Sequence, residues 1–141
     1  MRKSVDELLG EARRGLRRLE PHDALAAAAR GALLVDTRSG EDRAAEGVIP
    51  GALHLPLSVL EWRVDPDSPS RNHLVGSLDR ELIVVCNDGC SSSFAAARVQ
   101  QLGFARATDL VGGFRAWKAA GLPVATAPPR PVGLPGSGVP D

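Results

Sequence analysis

Cysteine is scarce in this chain: two among 141 residues, Cys86 and Cys90. A secreted disulfide framework shows several widely spaced pairs, so this pattern excludes one. Two cysteines without a matching cluster of Cys or His also make a poor zinc site, and His22, His54 and His73 lie scattered, as structural or exposed residues do. Net charge is absent as well. Seventeen Lys and Arg balance seventeen Asp and Glu, which removes the signal for a polyanion-binding surface. Arg13, Arg14, Arg17 and Arg18 read as a solvated helix face rather than a contact for nucleic acid or membrane. No apolar run reaches membrane-spanning length. The N-terminal MRKSVDELLGEARRG carries acids and lacks the apolar stretch of a signal peptide. The expectation is a cytoplasmic chain with one domain-sized core and neither nucleic acid nor membrane as partner.

What the chain does have is apolar runs alternating with helical patterns. Ser4 to Glu7 forms a capping box before a helix with Leu8, Leu9 and Ala12 on its apolar side, stopping near Gly15. Leu16 to Leu19 reads as a short edge strand, and Pro21 opens a second helix that Gly31 ends. Ala32–Asp36, Ala52–Leu55, Leu82–Val85 and Thr108–Val111 are further strands, the third the strongest. Helices are expected over Ser39–Glu46, Leu57–Val64, Phe94–Leu102 and Phe114–Ala120, with Trp62 in core or loop packing. Gly112-Gly113 is a turn, with Phe114 and Trp117 as core contacts. This alternation predicts an α/β fold with a mainly parallel, about five-stranded sheet. From Ala127 onward the chain is Pro/Gly-rich and is expected to be disordered.

The stretch IVVCNDGCSSSF places a thiol where the strongest strand ends, at the edge where parallel sheets bind ligands. Gly89 permits a sharp bend, and Ser91, Ser92 or Ser93 is expected to cap the following helix. Such a bend aims successive amides inward, toward a thiolate or an anion bonded to it. Yet no Lys or Arg occurs between Leu82 and Ala97.

Three separated segments resemble the rhodanese-like domain family, over roughly Leu16 to Val124. LLVDTRSGEDRAAEGVIPGA is similar to its opening strand, Asp-x-Arg and Ile-Pro-Gly-Ala, here Asp36, Arg38 and 49–52. IVVCNDGCSSS is similar to its active-site loop, and LVGGFRAWKAAGLPV to its closing Gly-Gly-x-x-x-Trp-x-x-x-Gly-x-Pro. The resemblance implies a three-layer α/β/α domain over 16–126, with 1–15 a helical extension and 127–141 a tail. It implies sulfur transfer without metal or organic cofactor. Cys86 would take sulfur from thiosulfate or a persulfide and yield it to a thiol, cyanide or an acceptor protein. Asn87, Asp88, Gly89, Cys90, Ser91 and Ser92 would bind the substrate, with Asp36 and Arg38 an ion pair in support. Cys90 fills space in the loop or, alternatively, resolves an oxidised Cys86.

Here the family's loop arginine is Ser91, and the histidine before Ile-Pro-Gly is Val48. A helix N-terminus favours a thiolate by about 0.3–1 kcal/mol, up to ~2 when partly buried. Asp88 at ~6 Å would oppose it by up to about 3 kcal/mol at an effective dielectric near 20. Activation therefore requires inward-pointing amides, an Asp88 turned to solvent, or a cation such as Arg38, Arg43 or Arg115. Weak activity with thiosulfate is expected, and a non-catalytic binding module is the alternative. A cysteine phosphatase of this architecture would need an arginine six positions after the cysteine, where Ser92 stands.

Overall fold

The computed structural model describes residues 1–128. Apart from Ala127 and Pro128, the tail expected to be disordered lies outside the described residues. Helix α1 (Val5–Arg14) starts as its capping box dictates: the Glu7 amide donates to the Ser4 hydroxyl, and the Ser4 amide donates to the Glu7 carboxylate. Helix α2 (Pro21–Ala29) begins on proline, whose missing N–H would have had no helical partner there. Strand β1 (Leu33–Asp36), helix α3 (Gly40–Glu46), strand β2 (Leu53–His54) and helix α4 (Leu60–Val64) follow. Strand β3 (Leu82–Val85), helix α5 (Ser91–Gln101), strand β4 (Thr108–Asp109) and helix α6 (Gly113–Ala119) complete the order.

The four strands pair in parallel in the order β2-β1-β3-β4. Strand β3 is buried throughout, as a central parallel strand covered on both faces must be. Its side chains alternate between two cores. Leu82 and Val84 join Leu60, Val64, Ala96, Val99 and Phe104. Ile83 and Val85 join Ala24, Ala27, Leu110, Phe114 and Trp117. Helices α4 and α5 thus cover one face and α2 and α6 the other, giving the three-layer α/β/α arrangement.

Two expectations change. The fifth strand over Leu16–Leu19 shrinks to one rung: the Leu19 amide donates to the Asp109 carbonyl at 3.1 Å, and the Val111 amide donates to the Leu19 carbonyl at 2.9 Å. The chain has no room for more. The Leu16 amide is still closing α1 on the Arg13 carbonyl, and Pro21, without an N–H, turns the backbone into α2. Trp62 is 60 % exposed rather than packed. Leu60 and Val64, one helical turn apart, take the buried face of α4 and leave residue 62 on the opposite side.

Candidate active site

Parallel pairing brings the carboxyl ends of the strands to one edge, with Asp36 of β1 beside Val85 of β3, and Asp109 of β4 beside Val84. Cys86 is the next residue on that edge. Gly89 bends the loop at φ +86°, in the left-handed region that only glycine occupies freely. A Cβ there would stand 2.6 Å from the Gly112 amide nitrogen. One at Gly113 (φ +64°) would stand 2.4 Å from the Cys86 carbonyl oxygen. The two turns therefore pack backbone against backbone.

Helix α5 starts at Ser91, three residues before the apolar periodicity suggests, so the serines form its first turn. No serine caps it; Cys90 holds the capping position and makes no side-chain cap bond. The helix amides find another acceptor. The Ser92 amide donates to Cys86 Sγ at 3.4 Å, and the Gly89 amide donates to the same sulfur at 3.1 Å. The thiol occupies the place a capping oxygen usually takes.

The loop carbonyls are directed away. Cys86 O accepts from the Phe114 amide at 2.8 Å and Asn87 O from the Arg115 amide at 3.1 Å. Gly89 O accepts from Arg13 Nη2 at 2.9 Å and Arg18 Nη2 at 2.8 Å. Cys86 itself is buried but not sealed, with 6 % of its surface exposed.

Burial is the strongest single influence on the thiol and opposes ionisation. Hydrogen bonds from the Ser91 and Ser92 side chains and from the Ser92 and Gly89 amides together outweigh it, bringing Cys86 below its ordinary value of 9.0. Because the Ser92 hydroxyl also donates to Asp109 Oδ2 at 2.7 Å, the amides and the Ser91 hydroxyl are the donors free to serve the sulfur. A depressed thiol value means that folding favours the thiolate. Its contribution to stability is complete above the unfolded-chain value and is lost as pH falls through the folded one. In a Cys90→Ser chain, alkylation of Cys86 by iodoacetamide will therefore reach half its plateau rate below the pH that an ordinary thiol requires. A profile centred at or above that pH would contradict the amide arrangement.

Asp88 is turned to solvent and charge-paired. Its side chain is 62 % exposed and is held by Arg115 Nη1 at 2.8 Å, while Arg115 Nη2 reaches Glu46 at 3.0 Å. These two carboxylates raise the Arg115 value further above its already high ordinary one, the Glu46 hydrogen bond contributing most. Asn87 turns to α3, its Nδ2 donating to Asp42 at 2.9 Å; that bond, then one with Ser39, lowers the Asp42 carboxyl. Cys90 is exposed and unbridged.

Asp36 and Arg38 form the expected pair, two-pronged and buried, at 3.1 and 2.9 Å. Arg38 also donates to the Gly47 carbonyl at 2.8 Å and lies 3.9 Å from the centre of the Phe114 ring. Arg43 Nη1 donates to His54 Nδ1 at 2.8 Å. His54 must then carry its proton on Nε2, which meets the Arg38 carbonyl at 2.7 Å. Arg38, Arg43 and Arg115 are drawn toward Asp36, His54, Glu46 and Asp88, and among the described residues none of the three donates to Cys86 Sγ.

The arginine cluster expected to face solvent divides. Arg14 and Arg17 are exposed, but Arg13 and Arg18 are half-buried against the back of the loop. Arg18 Nε donates to Asp109 Oδ1 at 2.9 Å, and Arg13 Nε donates to Ser93 Oγ at 3.0 Å. The Ser93 hydroxyl in turn donates to Asp109 Oδ2 at 2.8 Å. Asp109, with 0 % exposure, is the residue that sequence reasoning missed. The available signal was an acid inside a short apolar strand, since a buried carboxylate requires a basic partner. Among the described residues, no group of three or more His, Cys, Asp or Glu is placed to hold a metal ion. Nor is any helix long and apolar enough to cross a membrane.

Comparison with known proteins bears on the same residues. The family described as Rhodanese-like domain matches residues 20–120. A thiosulfate sulfurtransferase GlpE from Pseudomonas entomophila is 38 % identical over 103 residues, covering 72 % of this chain and 84 % of its own. A human thiosulfate:glutathione sulfurtransferase is 33 % identical over 91 residues, covering 61 % of this chain and 78 % of its own. Among solved structures, a Rhodopseudomonas palustris protein of unknown function, described as a possible tyrosine phosphatase, superposes with a TM-score of 0.80. It is 29 % identical and covers 88 % of this chain and 96 % of its own. The family match spans both glycine turns, the Asp36–Arg38 pair and the loop that cradles Cys86: the chain belongs to the rhodanese-like domain family.

Proposed function

We propose that residues 16–126 form a sulfurtransferase domain in which Cys86 carries the sulfur, preceded by a helical extension over 1–15. The observation that carries this reading is the pair of main-chain amides, from Gly89 and Ser92, donating to Cys86 Sγ. They hold negative charge on the sulfur without a basic side chain in the loop. With thiosulfate, the Cys86 thiolate attacks the outer sulfur, the sulfur–sulfur bond breaks, and sulfite leaves with the electron pair. The Cys86 persulfide anion remains, and the same amides can bond its terminal charge. Cyanide or a thiolate then attacks the outer sulfur, forming thiocyanate or a new persulfide and returning the Cys86 thiolate. Asn87, Asp88, Gly89, Cys90, Ser91 and Ser92 shape the substrate's approach, and Asp36 with Arg38 steadies the neighbouring strand end.

Ser91 in place of arginine removes a charged hydrogen-bond partner worth about 1.5–3 kcal/mol, or roughly ten- to a hundredfold. A monoanionic or uncharged persulfide loses less from that than doubly charged thiosulfate. Glutathione persulfide, whose reacting end carries at most one negative charge, is therefore the preferred donor of the two, although the relatives are named for thiosulfate. A phosphatase reading gains nothing from the geometry, because Ser92, six positions after Cys86, points its hydroxyl at Asp109. The test is intact mass after incubation with thiosulfate and, separately, with glutathione persulfide. One sulfur is expected to be gained, more completely from the persulfide, and to be removed by cyanide. A chain that gains none from either donor is a binding module, not a transferase.

A further inference from the structure

The bonds between the N-terminal segment and the back of the loop have no part in the sulfur-transfer scheme above. Arg13 and Arg18 both precede residues 20–120, the span that matches the family. Their side chains nevertheless converge on one atom, the Gly89 carbonyl oxygen, at 2.9 and 2.8 Å. They are further tied to Asp109, directly from Arg18 and through Ser93 from Arg13. Two guanidinium charges against one carboxylate leave this partly buried network with a net positive charge. It lies directly behind a loop that contains no cation of its own.

We propose that Arg13 and Arg18 are positioning residues: they hold the Gly89 carbonyl away from Cys86 and supply from outside the loop the positive charge it lacks. A trans peptide fixes its N–H opposite its C=O. Gripping the Gly89 oxygen therefore turns the Cys90 amide away from the two guanidinium groups. A carbonyl released from that grip is free to rotate and present its negative end to the sulfur. Separately, each guanidinium stabilises the thiolate through the low-dielectric loop. Helix α1 thereby becomes a working part of the thiol site. The importance of that site rests on the sulfurtransferase reading; the electrostatic effect on Cys86 does not.

Arg13 is the residue to test, since its loss leaves Asp109 still paired with Arg18. In full-length Cys90→Ser chains, the iodoacetamide alkylation rate of Cys86 is measured against pH with Arg13, Arg13→Gln and Arg13→Lys. Arg14→Gln, on the exposed side of α1, serves as the control. Arg13→Gln is expected to move the profile to higher pH and to slow alkylation at pH ~7 about three- to tenfold. Arg13→Lys recovers most of the rate, because it keeps the charge and can reach the carbonyl; the control superposes on the parent. Thermal unfolding confirms that each variant is folded. A Gln profile that overlays the parent's, or a Lys variant no better than Gln, overturns the proposal. Failure of the parent to load sulfur would instead remove the transferase reading and leave this comparison of profiles intact.

Discussion

Cys86→Ser will take up no sulfur from thiosulfate or glutathione persulfide, while the chain stays folded. The fold should survive because the substituted atom keeps its bonding pattern. The Gly89 and Ser92 amides that donate to Sγ at 3.1 and 3.4 Å find a hydroxyl oxygen able to accept from the same directions. The chemistry does not survive. An unactivated hydroxyl is a weak nucleophile. The amides favour a thiolate that is within reach at neutral pH, but an alkoxide is far beyond what two hydrogen bonds of about 1.5–3 kcal/mol each supply. Loading should fall by several orders of magnitude, below detection by intact mass. Cys90→Ser, a change of similar size at an exposed position outside the sulfur's hydrogen bonds, should still load one sulfur. Sulfur found on the Cys86→Ser chain would assign the nucleophile to Cys90 and dismiss the role of the amides.

The sheet and its edge were legible because they depend on local pattern. Leu82–Val85 is a continuous apolar run, and such a run bounded by turn residues is what a central parallel strand looks like. Gly89, Gly112 and Gly113 announced turns; close backbone approach gives the physical reason at Gly89 and Gly113, while at Gly112 (φ +73°) a Cβ would meet that of Ala116. The serines misled because the capping rule considers only side-chain oxygens. Here the acceptor for the helix amides is a sulfur six residues earlier. The arginines misled for a different reason. A cluster near a helix end usually faces water, and what draws Arg13 and Arg18 inward lies 76 and 91 residues along the chain, at Gly89 and Asp109. Only pairing of β3 with β4, and the single rung at Leu19, brings those partners together. The donors that lower the thiol do lie within the loop, at Gly89, Ser91 and Ser92, but the two arginines that grip its back enter from a segment before the strand order begins.

Asp109→Ala should be the most destabilising single change near the site. The carboxylate accepts from Arg18 Nε at 2.9 Å and Nη2 at 3.2 Å, and from the Ser92 and Ser93 hydroxyls at 2.7 and 2.8 Å. It is fully buried, and Arg18 is 19 % exposed. Removing one partner of a buried ion pair typically costs about 3–5 kcal/mol, because the other charge remains with no counter-ion. Two buried serine hydroxyls lose their acceptor in addition. Against a total stability of roughly 5–15 kcal/mol, the melting temperature should fall by about 10–20 °C. Asp109→Asn keeps the volume and one acceptor oxygen but presents an N–H₂ group toward other donors, and should fall part of the way. The effect should also have a local signature. With its counter-charge gone, the Arg13 and Arg18 pair behind the loop is more positive while Arg18 Nη2 still reaches the Gly89 carbonyl, so Cys86 alkylation at neutral pH should quicken at temperatures where the variant is fully folded. A melting temperature within about 2 °C of the parent's would mean that Asp109 is not the anchor these four hydrogen bonds make it, and that the network behind the loop is held by packing alone.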